Sequence, residues 1–406
     1  MAVIALNWEL GADLGHLGRL LPIARRLRDA GHRPVLILRD LSRIEQLLGD
    51  ERIDYLQAPL WLPSPAGLPP DLNFSETLCR FGYLQPAGLL GMCRAWRALW
   101  ALVRPDLLVF DLAPTAALAA RGLGVPCVSV NDGFTAPPQI TPLPPYRFWT
   151  SHAGQESRLR EVERRIVLVA NVVLQRLDAP QIHRVSELFD LDRVFICTQL
   201  ELDVYGASTR RREEHVGPVA DLDRGAPPEW PAGEDPRVFA YLKPDTGHFA
   251  AVMDAMAASD GRYLVFAPGI GEASLRRYGS ERVRIGTAPF RLREVLRDCT
   301  AVISHGGGMT ESVLAHGKPL LLLPQQMEQL MTSVRVSELG AAVFLATDGN
   351  PAELPKLLER LLRDASLRRA AAAIAAKVGA KRSRAALDIV ADACLEMVGE
   401  GGALRG

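Results

Sequence analysis

The chain has 406 residues, of which 48% are hydrophobic and 23% charged, and its 47 basic residues balance its 47 acidic ones. These values are typical of a globular protein with room for two domains, and a net charge of zero argues against a nucleic-acid partner. The six cysteines are scattered, without a CxxC pair or metal-ligand spacing. They predict free thiols, no metal site and a cytoplasmic location.

The N-terminus lacks the basic start and apolar core of a signal peptide, and it is predicted to begin directly with a strand. Apolar residues then recur at helical spacing until Gly31, and a further helix is predicted between Pro114 and Gly124. The predicted strands of this half lie at residues 3–6, 34–38, 107–110 and 125–130. Strands that alternate with helices predict a parallel sheet covered on both faces.

Aromatic residues gather in two proline-rich loops, at 59–70 and 134–146, and on an apolar helix predicted over 87–103. That helix contains two arginines and is too short and too charged to span a membrane, so no transmembrane segment is expected. Trp61, Trp96 and Phe134 could line a pocket for an apolar acceptor, because concave apolar sites favour such residues. Ordinary packing of aromatic side chains explains the pattern equally well.

The composition changes at residues 215–236, where prolines, glycines and acidic residues predict an interdomain linker. Strands and helices alternate again after it, with a helix near 249–258 and strands at 238–242, 263–266 and 283–285. We therefore expect a first domain over 1–218, a linker over 219–236, a second domain over 237–380 and a final helical segment over 381–406.

The most informative stretch is residues 301–340, where a predicted strand leads through His305 and three glycines, Gly306–Gly308, into a helix. Backbone N–H groups converge at such a turn, and this geometry binds phosphate. A tight turn that binds no ligand is the alternative. Further along, Glu328 and Gln329 stand at the start of another helix, where α/β sheets tend to bind ligands. The stretch therefore indicates a nucleotide that carries a hydroxyl-rich group.

Three patterns together resemble the GT-B glycosyltransferases: the two βα domains, the Gly-x-x-x-Gly-His of residues 11–16, and the HGG…GxP…P-x-x-x-(D/E)-Q pattern of residues 305–329. The resemblance is greatest to the group that glycosylates macrolides, flavonoids and other small lipophilic acceptors. It implies an α/β, GT-B fold with two Rossmann-like domains facing across a cleft, and a final helix that returns to the first domain.

The same resemblance implies an inverting transfer from a UDP- or dTDP-linked sugar to a hydroxyl of a small-molecule acceptor, without a metal or a further cofactor. It leaves open whether the protein is a homodimer. The family's general base corresponds to His16, and the acidic residue that orients this base corresponds to Asp111. A neutral imidazole suits this role because it takes up protons near neutral pH. Both residues could instead simply cap helices, and Glu9 and Asp13 are alternative carboxylates.

For the donor, the resemblance assigns the diphosphate to His305, the glycine turn and Thr310, and the sugar hydroxyls to Glu328 and Gln329. The glycine motif is one residue shorter than the family's, so Ser312 or Val313 stands where an acidic residue usually holds the ribose. The tryptophan that often stacks on the base is also absent. Two further residues are candidates for donor binding, namely Phe290 beside the base and Lys243 at a phosphate.

Three other functions are compatible with parts of this pattern. A sugar-nucleotide epimerase or hydrolase could share the fold, and a degenerate transferase could serve as a partner protein for an active one. An NAD-linked dehydrogenase would share the layered architecture, but Gly269 and Gly271 lack the third glycine of a dinucleotide fingerprint.

Overall fold

The computed structural model describes residues 1–11, 15–206, 210, 214–233, 236–381 and 385–403. The chain divides into two compact units, of which the first comprises Met1–Val219 with Arg384–Gly406 and the second Ala220–Ser383. Each unit contains one parallel β-sheet and its own hydrophobic core.

The sheet of the first unit has seven strands in the order β3-β2-β1-β4-β5-β6-β7. Strands β4 and β5 are buried along their whole length and β1 from Ile4 onward, which is the pattern of a parallel sheet covered on both faces. Trp8 at the end of β1 pairs in register with Asp111 at the end of β4. The strands are β1 (Val3–Trp8), β2 (Arg33–Leu38), β3 (Asp54–Gln57), β4 (Leu107–Asp111), β5 (Cys127–Asn131), β6 (Arg193–Ile196) and β7 (Glu214–His215).

Six helices accompany these strands: α1 (Gly15–Asp29), α2 (Ile44–Leu48), α3 (Phe74–Cys79), α4 (Pro86–Val103), α5 (Pro114–Ala120) and α6 (Glu156–Arg176). Helix α1 buries the apolar stripe that its sequence predicts, and it ends before Gly31, whose φ is +86°. Helices α4 and α5 both begin with proline, which suits the first helical position because no N–H is needed there.

The second unit repeats the alternation around a six-stranded parallel sheet in the order β10-β9-β8-β11-β12-β13. Its strands are β8 (Arg237–Tyr241), β9 (Arg262–Phe266), β10 (Val283–Gly286), β11 (Ala301–Ser304), β12 (Leu320–Leu322) and β13 (Ala342–Phe344). Its helices are α7 (Phe249–Ala257), α8 (Glu272–Tyr278), α9 (Leu292–Asp298), α10 (Met309–Ala315), α11 (Met327–Glu338), α12 (Leu354–Arg363) and α13 (Ala365–Lys381).

The last helix, α14 (Ala386–Ala403), packs against α1, and Val390 and Cys394 lie fully buried in the core of the first unit. The proline-rich segment before β8 is attached to the second unit. There Leu222 accepts a backbone hydrogen bond from Arg293, and Ala226 pairs with Phe290. Among the described residues, no helix is long and apolar enough to cross a membrane.

The predicted strands lie within two residues of the observed ones, and the predicted helix over 249–258 is α7. The helix expected over 87–103 is α4, which begins one residue earlier. Helix α6 and strands β6 and β7 are not among the predicted elements, although the buried residues of α6 recur at helical spacing.

Candidate active site

The first part of the site lies where α1 begins, beside the ends of β1 and β4. His16 is in the first turn of α1, and its Nδ1 lies 3.0 Å from Oδ1 of Asp111, the last residue of β4. Asp111 is fully buried and His16 nearly so. The structure thus brings together the two residues that the sequence predicts as base and orienting acid.

The surroundings of His16 determine which ring nitrogen is available for chemistry. A carboxylate only accepts hydrogen bonds, so Nδ1 carries the proton that it donates to Asp111, and Nε2 of the neutral ring keeps its lone pair. The ring stacks on Trp8 at a centroid distance of 5.1 Å. Nε2 lies over Gly11, where an added Cβ would be only 2.5 Å away. Gly11 therefore has no side chain that could cover the nitrogen that can accept a proton.

A further pair of charges, which the sequence analysis did not identify, completes this cluster. Nη1 of Arg19 donates to the same Oδ1 of Asp111 at 2.7 Å, and Nη2 donates to Oδ2 of Asp132 at 3.2 Å. Among the described residues, Oδ2 of Asp111 has no hydrogen-bond partner. Burial lowers the pKa of the Arg19 guanidinium, but the two aspartates outweigh burial and raise it. Arg19 is therefore a permanent cation in the cluster.

Two sequence signals could have revealed this pair. Arg19 stands three residues after His16, so the two side chains share one face of α1. Asp132 directly follows the buried strand β5, at the sheet edge where the neighbouring strand β4 ends in Asp111. Acids that follow adjacent parallel strands meet at that edge.

Glu9, one of the alternative carboxylates, is buried and faces a different helix. Its Oε2 accepts hydrogen bonds from the backbone N–H groups of Thr115 and Ala116, in the first turn of α5, at 2.8 and 3.1 Å. Burial raises the pKa of Glu9 to about 7, against the effect of these hydrogen bonds. The other alternative, Asp13, lies outside the described residues.

The glycine turn lies in the second unit, between β11 and α10, and its three glycines differ in their surroundings. Gly306 has a φ of +86°, and an added Cβ would lie 2.9 Å from the Gln329 carbonyl oxygen, so α11 packs directly against it. An added Cβ at Gly308 would meet no atom within 4 Å, and the nearest atom to one at Gly307 is Nε2 of Gln329 at 3.9 Å. Only Gly306 is thus required by packing, while the other two leave space beside the backbone.

Both ring nitrogens of His305 are engaged within the second unit. The backbone N–H of Lys243 donates to Nε2 at 3.1 Å, and Nδ1 lies 3.1 Å from the Leu323 carbonyl oxygen. Nε2 accepts a hydrogen bond and so carries no proton, and Nδ1 donates its own to Leu323. His305 thereby connects the loops that follow β8 and β12. The phosphate contact expected from its ring would require one of these two hydrogen bonds to be exchanged.

The other expected donor residues lie at the same end of the sheet with unequal exposure. Gln329 is buried and accepts a hydrogen bond from the Gln325 backbone N–H at 2.8 Å, while Glu328 beside it is half-buried. Thr310 is fully buried, and its hydroxyl has no partner among the described residues. The role of Thr310 at the diphosphate stays a prediction.

Of the two remaining donor candidates, Phe290 lies away from the glycine turn and Lys243 lies beside it. Phe290 packs against Gly286 and edge-on to Phe239, so it lies at β10 and β8 and not in the glycine turn. Lys243 is half-buried, and its backbone joins the turn through His305. The two positions where the family's ribose acid would stand, 312 and 313, are both buried.

The three aromatic residues that are expected to contact an acceptor differ in their burial and in their packing partners. Trp96 is fully buried in α4 and packs against Trp100, which fits the alternative of ordinary core packing. Trp61 is half-buried and lies across Gly82 and Gly88. Phe134, also half-buried, stacks on Tyr146 and packs edge-on to Phe74. The sequence of α4 predicts an apolar helix face, but it does not predict whether other protein elements or a ligand pack against that face.

Several known proteins are similar to this chain in sequence. Residues 250–397 match the family described as "Erythromycin biosynthesis protein CIII-like, C-terminal domain". The chain is 26% identical, over 309 residues, to a PGL/p-HBAD biosynthesis glycosyltransferase of Mycobacterium tuberculosis (strain ATCC 25177 / H37Ra), and the alignment covers 68% of each protein.

Solved structures of glycosyltransferases share the fold of the whole chain. CalG4, the calicheamicin glycosyltransferase, matches with a TM-score of 0.70 at 19% identity over 98% of both chains. The glycosyltransferase VinC in complex with dTDP matches with a TM-score of 0.67 at 18% identity, over 98% of this chain and all of the other. The chain is therefore a glycosyltransferase with the GT-B fold.

Proposed function

We propose that this enzyme transfers a sugar from a nucleoside-diphosphate sugar to a hydroxyl of a small lipophilic acceptor, with inversion at the anomeric carbon. The observation that carries this proposal is the His16–Asp111 pair, because Asp111 binds Nδ1 of the imidazole and leaves the lone pair on Nε2, beside Gly11, which has no side chain. A hydroxyl is a poor nucleophile until a base removes its proton, and a neutral imidazole suits this task.

In the proposed reaction the acceptor O–H gives its proton to Nε2 of His16. The acceptor oxygen bonds to the anomeric carbon as the bond from that carbon to the diphosphate breaks, and the bonding electron pair leaves with the diphosphate. Asp111 stabilises the resulting imidazolium through the hydrogen bond to Nδ1. Negative charge then grows on the leaving diphosphate, where backbone N–H groups of the glycine turn are the proposed donors.

The dTDP complex of VinC supports a nucleoside-diphosphate sugar as the donor, and we propose that the second unit binds it. The glycine turn and Gln329 are the proposed contacts there. A UDP- or dTDP-linked sugar is the proposed co-substrate, with no further cofactor and no metal. The six cysteines are free, which supports a cytoplasmic location. The half-buried aromatics Trp61 and Phe134 are the proposed acceptor contacts.

The test is His16→Ala, which removes the base and leaves the second unit unchanged. We expect kcat to fall by about 100- to 10,000-fold, since general base catalysis contributes an effect of this size. Calorimetry should give wild-type affinities for UDP- and dTDP-sugars. His183→Ala, at an exposed histidine of the same unit, is the matched control and should keep full activity.

Unchanged turnover in His16→Ala would reject the proposed base. Release of free sugar or of an epimer without any acceptor would indicate the hydrolase or epimerase alternative. If neither UDP nor dTDP sugars raise the melting temperature of the wild-type protein, the donor proposal fails and a non-catalytic partner role gains support.

A further inference from the structure

Among the described residues, the charges of the cluster formed by His16, Arg19, Asp111 and Asp132 do not balance until the His16 ring is protonated. Arg19 contributes one positive charge, and Asp111 and Asp132 contribute two negative ones, so with a neutral ring the cluster carries a net charge of −1. Formation of the imidazolium brings the cluster to zero. Three of the side chains are nearly or fully buried and Asp132 is partly buried, with exposed fractions of 10% for His16 and Arg19, 0% for Asp111 and 20% for Asp132. Water therefore screens these charges only weakly.

Arg19 by itself would work against the proposed base. It shares Oδ1 of Asp111 with His16, so a protonated ring and the guanidinium would be two cations on one carboxylate oxygen. Asp132 supplies the second anion, at 3.2 Å from Nη2 of Arg19. Without it, proton uptake by His16 would leave an uncompensated positive charge in a buried site.

Asp132 is held in place for this contact from its other side. Its Oδ1 accepts hydrogen bonds from the backbone N–H and the hydroxyl of Thr135, at 2.8 and 2.9 Å, which leaves Oδ2 to Arg19. Burial raises the pKa of Asp132, but Arg19, Thr135 and the His16 ring outweigh burial and hold it below its usual range. Asp132 is thus ionised, and it interacts with His16 as well as with Arg19.

The charged and titratable groups of the cluster come from several elements. Arg19 lies on the same helix as His16, Asp111 ends β4 and Asp132 follows β5. Cys197, which follows β6, also interacts with Arg19.

We propose that Asp132 is a positioning residue that acts through Arg19 to compensate the charge of the His16 imidazolium, and so sets the pH range in which His16 takes the acceptor proton. This inference rests on the proposed role of His16 as the base. Arg19 and Asp132 then have opposite effects on the protonation of His16, because the cation disfavours the imidazolium and the anion favours it.

The test uses two substitutions with opposite expected signs. Asp132→Asn keeps the shape of the side chain and an acceptor for Thr135 but removes the anion that favours the imidazolium. The acid limb of the pH profile of kcat/KM should therefore move to lower pH by about one unit. Arg19→Gln removes the cation, so the limb should move to higher pH by a similar amount. Asp132→Glu, which keeps the charge, should restore the wild-type limb. Asp54→Asn removes an exposed carboxylate on β3 and is the control for net charge.

A second readout does not depend on activity. NMR of ring-labelled histidine gives the pH at which half of the His16 rings are protonated, and the signal is assigned by its loss in His16→Gln. Opposite displacements of this midpoint in Asp132→Asn and Arg19→Gln support the inference. If the midpoint moves but the kinetic limb does not, the charge compensation holds and the role of His16 as base fails. A midpoint that stays in place, or moves the same way in both variants, overturns the inference.

Discussion

Gly11 provides a sharp test of the site because its surroundings leave no room for even a methyl group. The Cβ of an alanine there would lie 2.5 Å from Nε2 of His16 and 3.0 Å from Cδ2 of Leu112. The backbone φ of Gly11 is +84°, a conformation that residues with a side chain adopt only under strain. Gly11→Ala therefore perturbs the ring without removing any group that takes part in the proposed chemistry.

The size of the effect follows from the same distances. The imidazole would have to retreat by about 0.9 Å to reach the 3.4 Å of an ordinary van der Waals contact. Trp8 stacks on one face of the ring and Asp111 holds Nδ1 at 3.0 Å, so such a shift breaks the alignment of the base. A misplacement of about 1 Å can cost a factor of about 100 in rate. The strained backbone should also lower the free energy of unfolding by about 1–3 kcal/mol.

The assay compares kcat, donor affinity and unfolding of Gly11→Ala with those of Gly18→Ala. Gly18 is an exposed residue of α1, and an added Cβ there meets no atom within 4 Å. The control should keep full activity and gain about 0.5–1 kcal/mol of stability, since alanine is the better helix former. We expect Gly11→Ala to lose about 100-fold in kcat and to bind donor normally. Wild-type kcat in Gly11→Ala would refute the proposal that Nε2, at its observed position, accepts the proton.

Two further predictions concern Glu9 and the glycine turn. Burial raises the pKa of Glu9 to about 7 from 4.5, so between these two pH values the folded protein keeps a proton on Glu9 that the unfolded chain has lost. The stability that this difference contributes is complete below pH 4.5 and is lost as the pH rises through 7. Relative to Glu9→Gln, the free energy of unfolding of the wild-type protein, measured with urea, should fall by about 2–3 kcal/mol between pH 5 and pH 8. Gly308→Ala should bind UDP and dTDP at least about tenfold more weakly with unchanged stability, because its methyl enters open space where a diphosphate would lie. Gly306→Ala should instead be destabilised, because its Cβ meets the Gln329 carbonyl at 2.9 Å.

Each of these predictions has an outcome that contradicts it. A constant difference in unfolding free energy between the wild type and Glu9→Gln from pH 5 to pH 8 would mean that Glu9 does not titrate in that range. Wild-type affinity of Gly308→Ala for both nucleotides would show that the space beside Gly308 does not hold the diphosphate.

The sequence by itself determined the two-part α/β organisation, because buried parallel strands are continuous apolar runs and their helices carry apolar stripes with turn residues between them. It also located His16 and Asp111 as candidates, through the resemblance of their local motifs to those of the GT-B glycosyltransferases. These features are local, so no knowledge of the packing was needed to find them.

Only the tertiary structure decided how distant residues meet. Arg19 and Asp132 are 113 positions apart and become partners because β4 and β5 are neighbours in the sheet. Trp96 belongs to the core because other elements cover its face of α4, and His305 has both ring nitrogens engaged because the loops after β8 and β12 lie beside it. Burial and hydrogen-bond partners are properties of packing, and a local pattern of residues does not contain them.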